Sequence, residues 1–288
     1  MNPEPQRQRH VLVGLIGAGI QQSLSPALHE VEAGHHGVRL RYHLLDLDAA
    51  GVSLDDLPAL LAAVRTVGFA GVNITHPCKQ AVIPLLDALS EDAQRIGAVN
   101  TVVVEGDRLI GHNTDWSGFA LAFSRALPDA VKERVVLLGA GGAGAAVGYA
   151  ALDIGVGQLA IVDPVAGRAQ ALADNLARHY GPERVLASPD ARSALAGAQG
   201  LIHATPTGMH GHPGLPLDPA LLHPDLWVAE IVYFPLATEL LEAARKRGCR
   251  IMDGGGMAVG QALGAFRLFT GLTPDYARMQ AHFRQLVG

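Results

Sequence analysis

The sequence predicts an α/β protein of two domains, one of them a doubly wound parallel sheet. Three observations carry this. An apolar run, Val135-Val136-Leu137-Leu138, leads into Gly139-Ala140-Gly141-Gly142-Ala143-Gly144 and then into an Ala-rich stretch with helical spacing. From there strand-like and helix-like runs alternate, at 135–138, 143–154, 158–162, 166–179, 184–187, 199–203, 227–232 and 249–252. Such alternation builds a parallel sheet covered on both faces. The chain has 288 residues, nearly half of them apolar, which is enough for two cores.

The glycine turn has G-x-G-x-x-G spacing between a strand and a helix. Gly139 permits the tight turn, Gly141 lets the backbone approach a pyrophosphate, and Gly144 lets the helix pack on the strand. Gly142 and Ala143 open the helix, whose free N–H groups and dipole suit phosphates. Asp163 closes the next apolar run, Leu159–Val162, where an acid roughly 20 residues on binds a ribose diol. The turn predicts a dinucleotide site.

The N-terminal part reads as a second α/β domain. Met1–His10 is polar, carries Pro3 and Pro5, and reads as a lead-in without structure. Val11–Ile16 is a strand. Gly17-Ala18-Gly19 after it imitates a nucleotide turn, but Gln22 stands where the third glycine belongs. Ser25 reads as an N-cap and Pro26 as the first residue of a helix reaching about His35. Arg39–Leu45 alternates as a strand, and Leu54–Val67 has helical spacing. Gly71–Ile74 is a short strand, with Thr75 as a cap before Pro77. Ala98–Val104 and Arg108–Gly111 form a hairpin around Gly106-Asp107, and Asp115–Ala126 is a helix linking the domains. Gly256–Gly288 reads as two helices split at Thr273-Pro274, expected to return to the first domain. The predicted division is 1–116 with 257–288 for one domain and 117–256 for the other.

Composition narrows the function. The net charge is −5 and there is no basic block, so nucleic acid is not expected as a partner. The chain shows neither a signal-like run nor a stretch long enough to span a bilayer, which predicts a cytoplasmic protein. Two distant cysteines, Cys78 and Cys249, make neither a disulfide framework nor a zinc cluster. His203, His210 and His212 lack carboxylate or thiolate partners in the sequence, and no metal is predicted. The expected partner is a small molecule, bound by a monomer or homodimer.

Four polar clusters stand beside predicted strand ends or helix starts: Ser23/Ser25, Asn73/Thr75/Lys79, Asn100/Thr101 and Asn113/Thr114/Asp115. Sites are commonly built there. Neutral hydrogen-bonding groups with one Lys and one Asp fit a polyhydroxylated substrate. The Pro/Gly/His-rich segment Thr205–Pro219 follows a strand end, where loops line the ligand crevice of open sheets.

These stretches carry a resemblance. Ser23-Leu24-Ser25-Pro26, Gly71-Val72-Asn73-Ile74-Thr75-His76-Pro77-Cys78-Lys79, Gly97-Ala98-Val99-Asn100-Thr101, Gly111-His112-Asn113-Thr114-Asp115, the glycine turn, Ala204–Met209, Tyr233–Leu241 and Asp253–Gln261 stand in order. From about residue 11 to 286 the chain resembles the shikimate/quinate dehydrogenase family, nearest its NAD-dependent quinate/shikimate subtype.

The resemblance implies reversible oxidation of a ring hydroxyl of shikimate or quinate, a cyclic hydroxy acid, in a cleft between a substrate domain and a Rossmann domain. Ser23 and Ser25 are then the substrate-carboxylate pair. Asn73, Thr75, Asn100, Tyr233 and Gln261 bind substrate, and Lys79 and Asp115 are the catalytic pair. The cofactor falls to Gly139, Gly141, Gly142, Ala143, Gly144, Asp163 and Arg168, with Thr205, Pro206, Met209, Gly254 and Met257. Whether Lys79 acts as a neutral base or a charged polarising group stays open at this level, since Asp115 favours the charged form and burial opposes it.

Asp163 predicts NAD, with NADP used more weakly, because a 2′-phosphate would meet a like charge. Relatives with Thr at the second serine resemble the quinate-preferring subtype, so Ser25 implies a preference for shikimate. The alternatives are an NADP-dependent biosynthetic shikimate dehydrogenase, an aminoshikimate dehydrogenase and a non-catalytic NAD-binding sensor. Retention of Lys79 and Asp115 argues against the sensor. Cys78 stands where the family has an aromatic, His203 where it has Asn, and Glu230 where Asp is common.

Overall fold

The computed structural model describes residues 9–288, so all but the end of the polar lead-in lies outside the described residues. By packing, the chain divides into two compact units. One comprises Met1–Ser90, Val99–His112 and Ala262–Leu286; the other comprises Glu91–Ala98, Asn113–Gln261 and Val287–Gly288.

The first unit holds a six-stranded mixed sheet. Its strands are β1 (His10–Gly17), β2 (Arg39–Asp46), β3 (Gly71–Ile74), β4 (Ala88–Leu89), β5 (Thr101–Glu105) and β6 (Arg108–His112), in the order β2-β1-β3-β5-β6-β4. β1 runs parallel to β2 and β3, whereas β5 is antiparallel to both β3 and β6. The C-terminal ends of β1 and β3 therefore share an edge with the start of β5, where Asn73 pairs with Thr101. Val13, Leu40 and Tyr42 pack with Phe266 and Phe269 in one buried cluster. The buried Glu32 carboxylate accepts the Nε–H and one Nη–H of Arg278 and the Asp275 N–H, tying the helix Ser25–His35 to the helix Tyr276–Val287.

The second unit holds six parallel strands: β7 (Arg134–Leu138), β8 (Gln158–Val162), β9 (Val185–Ala187), β10 (Gly200–His203), β11 (Trp227–Glu230) and β12 (Arg250–Met252). Their spatial order, β9-β8-β7-β10-β11-β12, is the doubly wound arrangement predicted from the sequence. Its direction reverses between β7 and β10, and ligands bind outside the carboxyl ends of strands at such a point. Both faces are covered, which is why Val135–Leu138 is uniformly apolar.

Several local readings change. The helix at Ser25 begins on that residue and is not capped by it; the Ser23 hydroxyl accepts the Ser25 N–H instead. Thr75 makes no side-chain cap, and Pro77 follows a cis peptide before a short helix, Cys78–Ala81. The helix expected from 166 starts at Arg168, because Gly167 takes the left-handed conformation at its N-cap. Packing also divides the chain at different residues from those expected. The helix Asp115–Ala126 buries Phe119, Ala122 and Phe123 in the second unit's core, and Ile96 and Ala98 join it there. The helix Gly255–Thr270 crosses Asp115–Ala126 backbone to backbone. A Cβ on Gly118 would lie 2.5 Å from the Gln261 nitrogen, and one on Gly260 would lie 2.7 Å from the Gly118 Cα.

Candidate active site

The residues predicted for the site are divided between the two units. In the first, the polar clusters converge because the loops after β1 and β3 and before β5 are laced together. Ala18 N–H donates to the His76 carbonyl, Thr75 N–H to Ile16, and Ile74 N–H to Asn100. The Lys79 carbonyl accepts the Val99 N–H at 2.9 Å, fixing the short helix that carries the half-buried Lys79 against the Asn100 loop.

Asn73 is the bracket of this half. Its amide nitrogen donates to the Asn100 carbonyl and the Thr101 hydroxyl, and its oxygen accepts the Tyr42 hydroxyl at 2.8 Å. Both amide hydrogens are thus engaged within the protein, leaving Asn73 one acceptor lone pair for a ligand. Thr101 also donates to the Asn100 side chain. Tyr42 was not among the residues singled out in the sequence. The signal for it is one polar group on an inward position of an alternating strand.

Ser23 and Ser25 are half-buried at the start of the helix Ser25–His35. The Ser25 carbonyl accepts the ring N–H of His29, which is fully buried and which burial pushes down to about 4. His29 is therefore neutral at physiological pH and adds no charge there. Cys78 is a packing residue: burial pushes its thiol up to about 11, leaving no thiolate at neutral pH.

The second unit carries Asp115, Tyr233, Gln261 and the glycine turn. Asp115 is buried at the first position of its helix, and the Asn113 side chain accepts its N–H at 3.0 Å. Asn113 is itself anchored by donating to the Ala98 carbonyl. Tyr233 leaves 38 % of its surface exposed. Desolvation of its hydroxyl, reinforced by the negative charge of Asp115, raises its pKa, so the phenol stays a donor. Gln261 is half-buried and donates to the Ala258 carbonyl one turn back.

The glycine turn fits a dinucleotide. Gly139 is at φ +102°, and a Cβ there would lie 2.6 Å from the Ala204 carbonyl. A Cβ on Gly144 would lie 2.0 Å from the Gly139 carbonyl. At Gly141 a Cβ would meet nothing within 4 Å. The N-cap of the helix Gly142–Asp153 is Gly141, which has no side chain to cap it, and among the described residues no carboxylate bonds the first N–H groups of that helix, Ala143 among them.

Asp163 accepts the Ala140 N–H at 2.7 Å on one oxygen and the Val165 N–H at 2.8 Å on the other. A carboxylate offers about four acceptor sites, so half of its capacity remains for a ribose diol. Arg168 is exposed at the start of its helix. Thr205, Pro206 and the exposed Met209 follow β10. Gly254 lies against the backbone, where a Cβ would sit 2.4 Å from the Val232 carbonyl, and Met257 is buried behind it in the core. His203 does have a carboxylate partner, contrary to the sequence reading: both Glu230 oxygens lie within 3.0 Å of its Nδ1.

Comparison with known proteins agrees with this architecture. Residues 15–102 match the model of the shikimate dehydrogenase substrate binding domain. The chain is 58 % identical to a Streptomyces avermitilis protein named shikimate dehydrogenase (NADP(+)), over 98 % of this chain and 97 % of that one. It is 48 % identical to a Corynebacterium glutamicum protein named quinate/shikimate dehydrogenase (NAD(+)), over 96 % and 99 %. The solved structure of quinate dehydrogenase from Corynebacterium glutamicum in complex with NAD superimposes with a TM-score of 0.90 at 46 % identity, covering 96 % of this chain and all of that one. The chain belongs to the shikimate dehydrogenase family.

Proposed function

We propose that this chain is an NAD-preferring oxidoreductase that reversibly oxidises a ring hydroxyl of shikimate, and of quinate less efficiently. The observation that supports it most directly is the uncapped glycine turn at β7, open at Gly141 and flanked by the half-used carboxylate of Asp163. In this reading residues 1–116 and 257–288 serve the substrate and residues 117–256 the cofactor. The enzyme works in the cytoplasm on small molecules alone.

Bound NAD would rest on the turn and on the 204–209 and 254–257 segments, and its nicotinamide would take up the two electrons removed from the ring carbon. The protein's own task is the proton. Lys79 and Asp115 jointly accept it from the ring hydroxyl, since a positioned side chain must take it as the carbonyl forms. Ser23 and Ser25 donate to the substrate carboxylate. Asn100, Thr75 and Gln261 hold the ring hydroxyls, and Asn73 contributes mainly by fixing Asn100. Tyr233, kept protonated, donates a hydrogen bond.

An NADP-dependent enzyme is the second reading, favoured by the name of the 58 %-identical relative and opposed by Asp163. The substrate assignment is tested by steady-state kinetics with NAD. Both compounds should be oxidised, shikimate at the higher kcat/KM. Turnover of neither refutes the function, and a clear preference for quinate reverses the assignment of Ser25.

A further inference from the structure

His203 and Glu230, which end β10 and β11 and pair in register, are both wholly buried. Neither belongs to the chemistry described above. Glu230 also accepts the Val232 N–H at 3.0 Å and the Thr238 hydroxyl at 3.1 Å. With Glu230 as the common acceptor, the His203 Nδ1 must be a donor to it. In the neutral ring Nε2 is then an acceptor, and the group it meets is the Thr205 hydroxyl. With the ring in that neutral form the hydroxyl donates inward, and its oxygen also accepts the Thr207 N–H at 3.3 Å. One buried carboxylate therefore links two segments through directed hydrogen bonds. On one side it holds 204–209 through His203 and Thr205. On the other it holds 231–238 through Val232 and Thr238, the residue that caps the helix Glu239–Lys246.

We propose that His203 is a positioning residue for the dinucleotide, acting through Thr205. Its ring, oriented by Glu230, turns the Thr205 hydroxyl away from the ligand and fixes the backbone of the 204–209 loop in the shape that receives the cofactor. The proposal rests on the cofactor reading above. A purely structural pair would stabilise the sheet end without affecting cofactor affinity separately from turnover.

The test is a cycle of His203→Asn, Thr205→Val and the double variant. Asn keeps a donor near the Nδ1 position for Glu230 but does not reach Thr205; Val keeps the shape of Thr205 without its hydroxyl. NADH binding is followed by its fluorescence, and kcat and the KM for NAD by steady-state kinetics. Each single variant should weaken NADH binding and raise the KM for NAD by about tenfold, the scale of one lost hydrogen bond; in His203→Asn, which touches no cofactor residue but Thr205, kcat at saturating NAD should stay within about twofold. The double variant should be no worse than the weaker single, because both remove one interaction. Unchanged NADH affinity in either variant overturns the proposal, as do effects that multiply in the double. If His203→Asn does not fold, Thr205→Val decides the matter alone. A wild-type protein that binds no NADH refutes the cofactor reading itself.

Discussion

The molecule contains two glycine-rich turns that look alike in sequence and differ in what they hold. Gly17-Ala18-Gly19 follows β1, Gly139-Ala140-Gly141 follows β7, and each is served by an aspartate at the end of the neighbouring parallel strand, Asp46 or Asp163. Asp46 is saturated. It accepts the N–H groups of Gly19, Ile20 and Asp48 and the Gln21 side-chain amide, all within 3.1 Å. The first turn has thus closed on an anion of the protein's own. The first glycines are alike, a Cβ on Gly17 lying 2.3 Å from the Thr75 side chain and one on Gly139 2.6 Å from the Ala204 carbonyl, but a Cβ on Gly19 would stand 3.6 Å from the Asp48 carboxylate where one on Gly141 would meet nothing within 4 Å. Asp163 accepts only two hydrogen bonds, and the helix beyond its turn is uncapped. A glycine motif therefore reads as a ligand site only where its donors are not already taken.

The largest expected effect separates proton transfer from cofactor binding. Lys79→Ala should lower kcat by about 100-fold or more, with the KM for substrate little changed, because the proton moves only in the transition state. Near-normal kcat with a raised KM would make Lys79 a binding residue. Gly141→Val should raise the Kd for NADH by at least about tenfold through blocked backbone approach, while the melting temperature holds. A large loss of stability would mean that this space is needed for folding.

Asp46→Ala should do the reverse, costing about 2 kcal/mol of stability by orphaning buried donors and leaving the Kd for NADH unchanged; chemical denaturation and NADH titration check the two arms. The smallest effect is its pH dependence. Burial pushes Asp46 up, but hydrogen bonds from Gln21, Gly19 and Ile20 outweigh it and hold the carboxyl below its usual range. Its contribution is therefore complete above the unfolded carboxyl value, about 3.9, and is lost as pH falls through the lower folded value. The stability gap between wild type and Asp46→Asn should narrow on acidification; a gap that widens contradicts this.

The parts of the fold that were legible are those where burial imposes a simple pattern. Val135–Leu138 and Leu159–Val162 are apolar throughout because both sheet faces are covered, and Arg39–Leu45 alternates because one face is not. Short helices such as Cys78–Ala81, Glu91–Ile96 and Ala191–Leu195 were not read, because a single turn or two carries no period. Glu239–Lys246 was also passed over, although Thr238 at its cap, two glutamates in its first turn and two cations in its last mark it.

In the site, the glycine turn and Asp163 announced themselves by spacing. The roles of Tyr42, Asp46 and the His203–Glu230 pair did not, because each depends on which strands become neighbours. β2 lies beside β1, and β10 beside β11, and no local pattern in those segments specifies the pairing.

The central claim is that Asp163 keeps half of its carboxylate for the ribose of NAD, and cofactor choice tests it most directly. At contact distance near 4 Å and an effective dielectric of about 20, a carboxylate opposing a 2′-phosphate costs about 4 kcal/mol before screening. Arg168, exposed nearby in sequence, offsets part of that. Measured with shikimate, the wild-type kcat/KM should favour NAD over NADP by at least about tenfold, since each 1.4 kcal/mol is one factor of ten. Asp163→Ser should narrow or invert the ratio. Equal use of NAD and NADP by the wild type, or a ratio untouched by Asp163→Ser, would contradict the account by showing that Asp163 does not face the ribose.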